Sequence, residues 1–446
     1  MTTNFVSSLQ KSSPDHSGWM DQELLLRSKQ FDEKSKELAT RARAAFRIIR
    51  TAACNKRNLA LSILRDRLQS KNIQEAILKA NQIDLENGKT LSASMLERLA
   101  LDEKKLNGLA ASLNEIINFT DPVGEVVSGY TLRSGVRMIK KRVPLGIIFT
   151  VYESRPNVTI DVGALCLKSG NVSILRGGKE AYHSNMELIK VFRSSIEEAG
   201  LPSDSVLFVD ETDRALIHSL LQREELIDLV VPRGGESLIR FVVEHSRIPV
   251  VKHDKGVCTL FVDKTADFDM ALMVAKNAKL QRPSVCNAIE NLLIHADFPD
   301  PQALLGSLKE AGAELLGCER TVALFPSAKK IEDPDSIYGM EFLDNRLSVK
   351  IVDTMEDAVL FIHRYSSGHS EGIIATDEFT IESFVASVDS AGVFINCSTR
   401  FHDGGEMGMG AEVGISTGRM HVRGPMGLRD LTTTTYILRG EGQIRS

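Results

Sequence analysis

The hydrophobic pattern of this chain changes period twice, and the changes divide it. Between residues 21 and 117 the apolar positions Leu24, Leu25, Leu38, Ala42, Ala45, Phe46 and Ile49 fall near helical spacing, as do Leu59, Leu61, Ile63, Leu64 and Leu68. That spacing predicts amphipathic helices, broken at Asn87-Gly88 and Asp121-Pro122. From 125 to 142 the period shortens. Val126-Val127 and the run from Val136 to Val143 read as strands joined by the turn Arg133-Ser134-Gly135. An isolated hairpin is marginal in water, so this one needs a further partner.

From Val143 onward, short apolar runs alternate with helical stretches. Strands are expected at Ile147 to Val151, Val172 to Leu175, Val206 to Val209 and Leu226 to Val231. Helices follow at Asn157 to Leu167, Lys179 to Ala199, Arg214 to Leu221 and Leu238 to His245. A second series begins at Leu260 to Val262 and continues through Ala288 to His295, Val349 to Val352, Gly372 to Ala375 and Val393 to Asn396. Alternation of this kind predicts two α/β units with mainly parallel sheets and helices on their faces, with a boundary near 255. The β-branched and aromatic tail Thr432 to Leu438 reads as a strand reaching away from the core.

Composition adds exclusions. In 446 residues, a formal net charge of -5 with both signs interspersed asks for neither nucleic acid nor an anionic membrane. No apolar run approaches the ~18 residues that span a bilayer. Residues 1–20 are polar and read as a flexible extension that lacks the features of a secretory signal. The 6 cysteines (54, 166, 258, 286, 318 and 397) form no C-x-x-C pair, which predicts reduced thiols in a cytoplasmic protein.

Four stretches carry candidate chemistry. Cys286, within Gln281-Arg282-Pro283-Ser284-Val285-Cys286-Asn287, lies on a polar connection between a helical run and a strand. A thiol there is placed for nucleophilic attack, with nearby cations favouring the thiolate; the plainer reading is a small core residue. Two strands end alike, in Arg176-Gly177-Gly178-Lys179 and in Arg233-Gly234-Gly235-Glu236. Glycines at a strand-to-helix turn let backbone N–H groups approach a phosphate at a helix N-terminus, although no G-x-G-x-x-G is present. His253-Asp254-Lys255-Gly256-Val257-Cys258 matches no common zinc spacing and reads as a linker bordering the site; no metal is expected. The glycine-rich stretch from Ser398 to Gly410 contains Arg400, an anion-binding candidate on a loop able to close over a substrate.

Val143-Pro144-Leu145-Gly146-Ile147-Ile148, Tyr152 to Thr159 (Y-E-S-R-P-N-V-T), Leu167 to Asn171 (L-K-S-G-N), the Cys286 stretch, Asn396 to Phe401 and His421 to Leu428 (H-V-R-G-P-M-G-L) resemble the aldehyde dehydrogenase superfamily. More narrowly they resemble its gamma-glutamyl phosphate reductase family, over about residues 40–440. The resemblance implies an NADP-binding domain (21–124 and 143–255), a catalytic domain (256–429) and a β arm for homo-oligomerisation (125–142 and 430–446). It implies a cytoplasmic enzyme of proline biosynthesis that reduces L-glutamate 5-phosphate through a Cys286 thioester with NADPH. A glutamate 5-kinase is its candidate partner. Cys286 and Asn287 would be catalytic, with Ser154 or Asn157 as oxyanion donors. Arg176, Gly177, Gly178, Lys179, Arg233, Gly234, Gly235 and Glu341 would bind the cofactor. Arg155, Arg282, Arg400 and Arg423 would share the substrate's phosphate and α-carboxylate. Hydrolytic relatives carry a water-activating glutamate in an E-L-G-G-K-like stretch, where this chain has His253-Asp254-Lys255-Gly256. That difference favours a reductase over a hydrolytic NAD-dependent dehydrogenase. The Cys286 stretch and the two Arg-Gly-Gly turns weigh against a non-catalytic scaffold. NAD users often carry an acid three residues after the basic residue at the strand end; here Lys179 stands there, beside Glu180, which predicts NADPH.

Overall fold

The structure, a computed structural model, describes residues 17–251, 255–409 and 411–445. Of the polar N-terminal stretch, residues 1–16 lie outside the described residues, and Ser17 to Met20 open the helix Ser17–Gln30 and so do not belong to an extension. His253, Asp254 and Gly410 also lie outside them.

Two parallel sheets dominate. The first has four strands in the order Val206–Phe208, Val172–Arg176, Ile147–Tyr152, Leu229–Arg233, with Ile147 opposite Val172 and Ile148 opposite Leu229. The two central strands are buried along their whole length, as expected for strands covered on both faces. Pro232 is accommodated because its strand is the outer one in this order. Helices Asp32–Ile49, Cys54–Leu68, Lys71–Asn87 and Glu103–Asn118 pack with Pro156–Lys168 and Tyr182–Glu198 around this sheet in one apolar core.

The second sheet has seven strands, in the order Lys329–Lys330, Glu314–Gly317, Arg346–Val352, Ile289–His295, Cys258–Val262, Ser370–Ile374, Gly392–Ile395. All neighbours are parallel. One apolar cluster centred on Leu260, Leu292 and Leu304 and another on Phe261, Phe361 and Phe384 complete its core. The strands Glu314–Gly317 and Lys329–Lys330 escape the hydrophobic pattern because they are short and partly polar.

The chain does not stay in the second unit until residue 429. Val413, Val422, Met426, Leu428 and Leu431 are buried in the first core, so the second unit is an insertion that ends before the segment 413–431. The hairpin Val126–Thr131 and Arg137–Pro144 finds its partner within the chain: Thr432–Arg439 pairs antiparallel with Arg137–Pro144 from Thr432↔Pro144 to Arg439↔Arg137. The strand Val126–Thr131 stays exposed throughout.

Candidate active site

Cys286 lies between the helix Phe268–Leu280, capped at its start by the Asp267 carboxylate, and the buried strand Ile289–His295. A fully buried ion pair fastens the two ends of this connection together: Lys279 Nζ lies 2.5 Å from Glu290 Oε2. Burial pushes the Glu290 carboxyl up to about 7 against the pull of Lys279. The other Glu290 oxygen accepts the Leu343 N–H, which ties in a residue with φ of 57°.

The backbone of Cys286 is held from behind. Gly256 packs so closely that any side chain there would collide with the Cys286 carbonyl. The Cys258 thiol donates to the Cys286 carbonyl oxygen at 3.1 Å. Thr399 Oγ1 donates to Asn287 O at 2.7 Å, and Asn287 Nδ2 donates to His402 O at 3.0 Å. Arg400 donates to both Asn287 Oδ1 and Gln281 Oε1. Asn287 is therefore a clamp between the Cys286 stretch and the loop carrying Arg400. Glu341 Oε1 accepts the Gly256 N–H at 2.8 Å, which brings that carboxylate beside the same backbone.

A buried polar chain continues inward. Ser370 Oγ bridges His369 Nδ1 (2.7 Å) and His402 Nδ1 (2.8 Å), and His369 Nδ1 lies 3.7 Å from the Cys258 sulfur. Burial pushes both imidazoles down to about 4, so both are neutral near pH 7. Burial also raises the Cys258 thiol well above its ordinary range, with Glu371 adding to the shift. The Glu371 carboxyl is pushed up to about 8 by burial, which its bonds to Ser366, Ser390 and the Thr259 N–H only partly offset.

The carboxyl ends of the first sheet meet the Cys286 side of the second. Arg155, just past the strand Ile147–Tyr152, has its guanidinium lowered to about 10, first by burial and then by repulsion from Arg233 and Arg98. Cys286 is among the charges acting on Arg155 and on Arg400. Arg98, on the short helix Ala93–Leu99, points at the same place: its Nη2 lies 3.5 Å from Ser284 O. A cavity of 640 Å³ opens between Glu97, the run Gln281 to Ser284 and the segment Leu343 to Arg346, so Arg282 lines it.

Two of the expected oxyanion donors look different in place. The Ser154 backbone is kinked at φ of 42°, and both its N–H and its hydroxyl donate to Glu180 Oε1. Its hydroxyl proton is committed and unavailable to an oxyanion. Asn157 Nδ2 donates to Asp161 Oδ2 at 3.0 Å, which fixes the amide orientation and leaves its second N–H. Arg423 pairs with Asp389 at 2.7 Å.

The two Arg-Gly-Gly turns also differ. At the first, the Asp84 carboxylate accepts the His183 N–H at 3.1 Å and the Ser184 N–H at 2.7 Å at the start of the helix Tyr182–Glu198, and the Ala181 N–H donates to Gly178 O at 3.1 Å. Arg176 is buried and donates to Thr212 O, and Lys179 is exposed. The Glu180 carboxylate is folded onto Gly178 and Ser154, against the turn itself. At the second turn the Glu153 carboxylate accepts the Gly235 N–H at 2.8 Å and crowds Gly234. That end is already occupied by an acid, and Arg233 turns towards Arg155, Glu412 and Gly414.

This arrangement, a thiol between two parallel sheets with glycine turns on one of them, has known counterparts. Residues 10–315 match the model of the aldehyde dehydrogenase family. The chain belongs to that family. Within this aldehyde dehydrogenase family, the chain is 51% identical over 418 residues to the gamma-glutamyl phosphate reductase of Leptospira biflexa, covering 93% of this chain and 98% of that one. It is 46% identical to that of Moorella thermoacetica, covering 91% and 97%. The crystal structure of the Thermotoga maritima gamma-glutamyl phosphate reductase superposes with a TM-score of 0.89 at 38% identity, covering 92% of this chain and all of that one. As an aldehyde dehydrogenase family member the protein is an oxidoreductase, and the family uses a nicotinamide cofactor. No described helix is long and apolar enough to cross a membrane.

Sequence reading missed Arg98, Glu153 and Asp161. Arginine on a short helix carries no motif. Glu153 reaches Gly235 only through the tertiary fold, and Asp161 lies one turn from Asn157 on the helix Pro156–Lys168.

Proposed function

We propose that this enzyme reduces L-glutamate 5-phosphate to L-glutamate 5-semialdehyde and phosphate with NADPH, on the route to proline. The observation that carries the reading is the set of arginines around Cys286. Among the described residues, Arg98, Arg155 and Arg233 have no carboxylate within ion-pair distance. Like charges gathered at a shielded site call for an anionic ligand, and an acyl phosphate with an α-carboxylate is one.

In this reading the Cys286 sulfur attacks the acyl carbon. The C–O bond to phosphate breaks, and phosphate leaves with the electron pair. Bound NADPH supplies the hydride that takes the acyl group to the aldehyde level. The C–S bond then breaks and returns the thiolate. The Cys286 backbone N–H and the second Asn157 N–H stabilise the oxyanion. Arg400, held by Gln281 and Asn287, faces the substrate with its remaining edge.

The glycine turn at Gly177-Gly178 would lie against the cofactor's pyrophosphate, with Arg176 and Lys179 beside the 2′-phosphate and Glu341 near the nicotinamide end. Arg233 is reassigned to the substrate side. Glu153, Glu180 and Glu341 each accept a backbone N–H through one carboxylate oxygen. The proposal includes a cytoplasmic location, supported by six free thiols. It also includes a homo-oligomer formed through the arm, supported by exposed Val126, Val127, Tyr130, Tyr436 and Leu438, and a glutamate 5-kinase partner that supplies the labile acyl phosphate.

The test runs the reaction backwards, because the acyl phosphate is labile. Wild type should reduce NADP only when both glutamate semialdehyde and inorganic phosphate are present. Cys286→Ala should abolish turnover and keep NADPH binding. Semialdehyde oxidation independent of phosphate, or substantial turnover by Cys286→Ala, would overturn the reading.

A further inference from the structure

Arg98 comes from a part of the chain with no other role in the site. Its helix Ala93–Leu99 belongs to the N-terminal helical region, and its neighbour Glu97 lines the cavity in front of the Gln281 to Ser284 run. The Arg98 guanidinium touches Ser284 O, two residues before the nucleophile. Arg155 follows the strand Ile147–Tyr152 and Arg233 ends the strand Leu229–Arg233. These strands are adjacent, with Tyr152 opposite Arg233. Three separate segments thus bring three guanidinium groups to one side of Cys286.

Arg400 offers less. Its Nε and one Nη are already bonded to Gln281 and Asn287, leaving one edge, which suits a carboxylate. A phosphoryl group carries close to two negative charges and three acceptor oxygens, and converging guanidinium forks match it. We propose that Arg98, with Arg155 and Arg233, holds the phosphoryl group of the acyl phosphate substrate and of the released phosphate, while Arg400 serves the α-carboxylate. This assignment rests on the acyl-phosphate reading above. It makes Arg98 a specificity determinant: the group that distinguishes a phosphorylated acyl donor from a free aldehyde or a thioester.

The experiment separates the two co-substrates. In the reverse reaction, KM for inorganic phosphate and KM for glutamate semialdehyde are measured for wild type, Arg98→Gln and Arg98→Lys. Loss of a charge-assisted contact to phosphate should raise KM for phosphate about 10-fold or more in Arg98→Gln, with KM for semialdehyde changed less than about 2-fold. Arg98→Lys, which keeps the charge and loses the fork, should fall between. A second readout needs no turnover. Inorganic phosphate should slow iodoacetamide alkylation of Cys286 in wild type, and the protection should shift to higher phosphate in Arg98→Gln. An unchanged KM for phosphate, equal rises in both KM values, or unshifted protection would overturn the assignment. Wild-type oxidation without phosphate would instead sink the reaction proposed above, and the alkylation measurement would still report on the arginines.

Discussion

Replacing Glu371 by glutamine should make the protein more resistant to alkaline pH. Glu371 is fully buried on the strand Ser370–Ile374, and its carboxyl is pushed up to about 8 from an ordinary 4.5. A carboxyl raised in the folded state holds a proton that the unfolded chain has already released. Its contribution to stability is therefore complete below pH 4.5 and is lost as pH rises towards 8. The gap of 3.5 pH units (8 minus 4.5) corresponds to ~5 kcal/mol at 1.36 kcal/mol per unit, and relaxation around the charge brings the expected loss to ~3–5 kcal/mol. Glutamine keeps the shape and an acceptor oxygen for the groups that donate to Glu371 and cannot ionise. Urea unfolding of wild type and Glu371→Gln between pH 5 and pH 9 should show the variant gaining on wild type as pH rises, with a plateau above about pH 8. The neutral imidazoles of His369 and His402 act in the opposite sense: they weaken the fold as pH falls from 6.5 to about 4. Both are present in both proteins and cancel in the difference. A stability difference that stayed flat with pH, or shrank as pH rose, would refute the assignment of a buried neutral carboxyl.

Lys279→Met should cost ~3–5 kcal/mol by leaving Glu290 buried without its partner, and should slow alkylation of Cys286 by loosening the connection that carries it. Adding Glu290→Gln should restore most of the lost stability, as read from urea midpoints. Lys179→Glu should lower the preference for NADPH over NADH by about 10-fold or more in kcat/KM, since it reverses the charge beside the Gly177-Gly178 turn; an unchanged ratio would remove Lys179 from the proposed cofactor site.

Much of this architecture is legible in the sequence because strands buried on both faces are written as continuous apolar runs. Ile147–Tyr152, Cys258–Val262 and Ile289–His295 read correctly for that reason, and the Cys286 connection stands out by its polarity against them. The return of Val413, Val422, Met426 and Leu428 to the first core is not legible, because apolar spacing reports that a residue is buried and not against what. Ser154 fails as an oxyanion donor for a related reason. Its bond to Glu180 joins two loops, and sequence spacing carries no record of it. The hydrophobic pattern could not separate the two Arg-Gly-Gly turns either. What distinguishes them is the acid each meets: Asp84, 100 positions from Ser184 in the chain and 2.7 Å from its N–H, and Glu153, 82 positions from Gly235 and 2.8 Å from it in space.

The return of segment 413–431 also sets an order of events during synthesis. The first core closes only with Leu431, whereas the catalytic insertion has its own two apolar clusters, complete by Val388. The later-encoded unit can consolidate while the earlier one still waits on the ribosome for its final segment. Cys286 can thus be held beside its strand before the arginines of the first unit are locked opposite it. A chain stopped short of residue 413 would carry a folded insertion on an unfinished platform, a thiol with no site to serve.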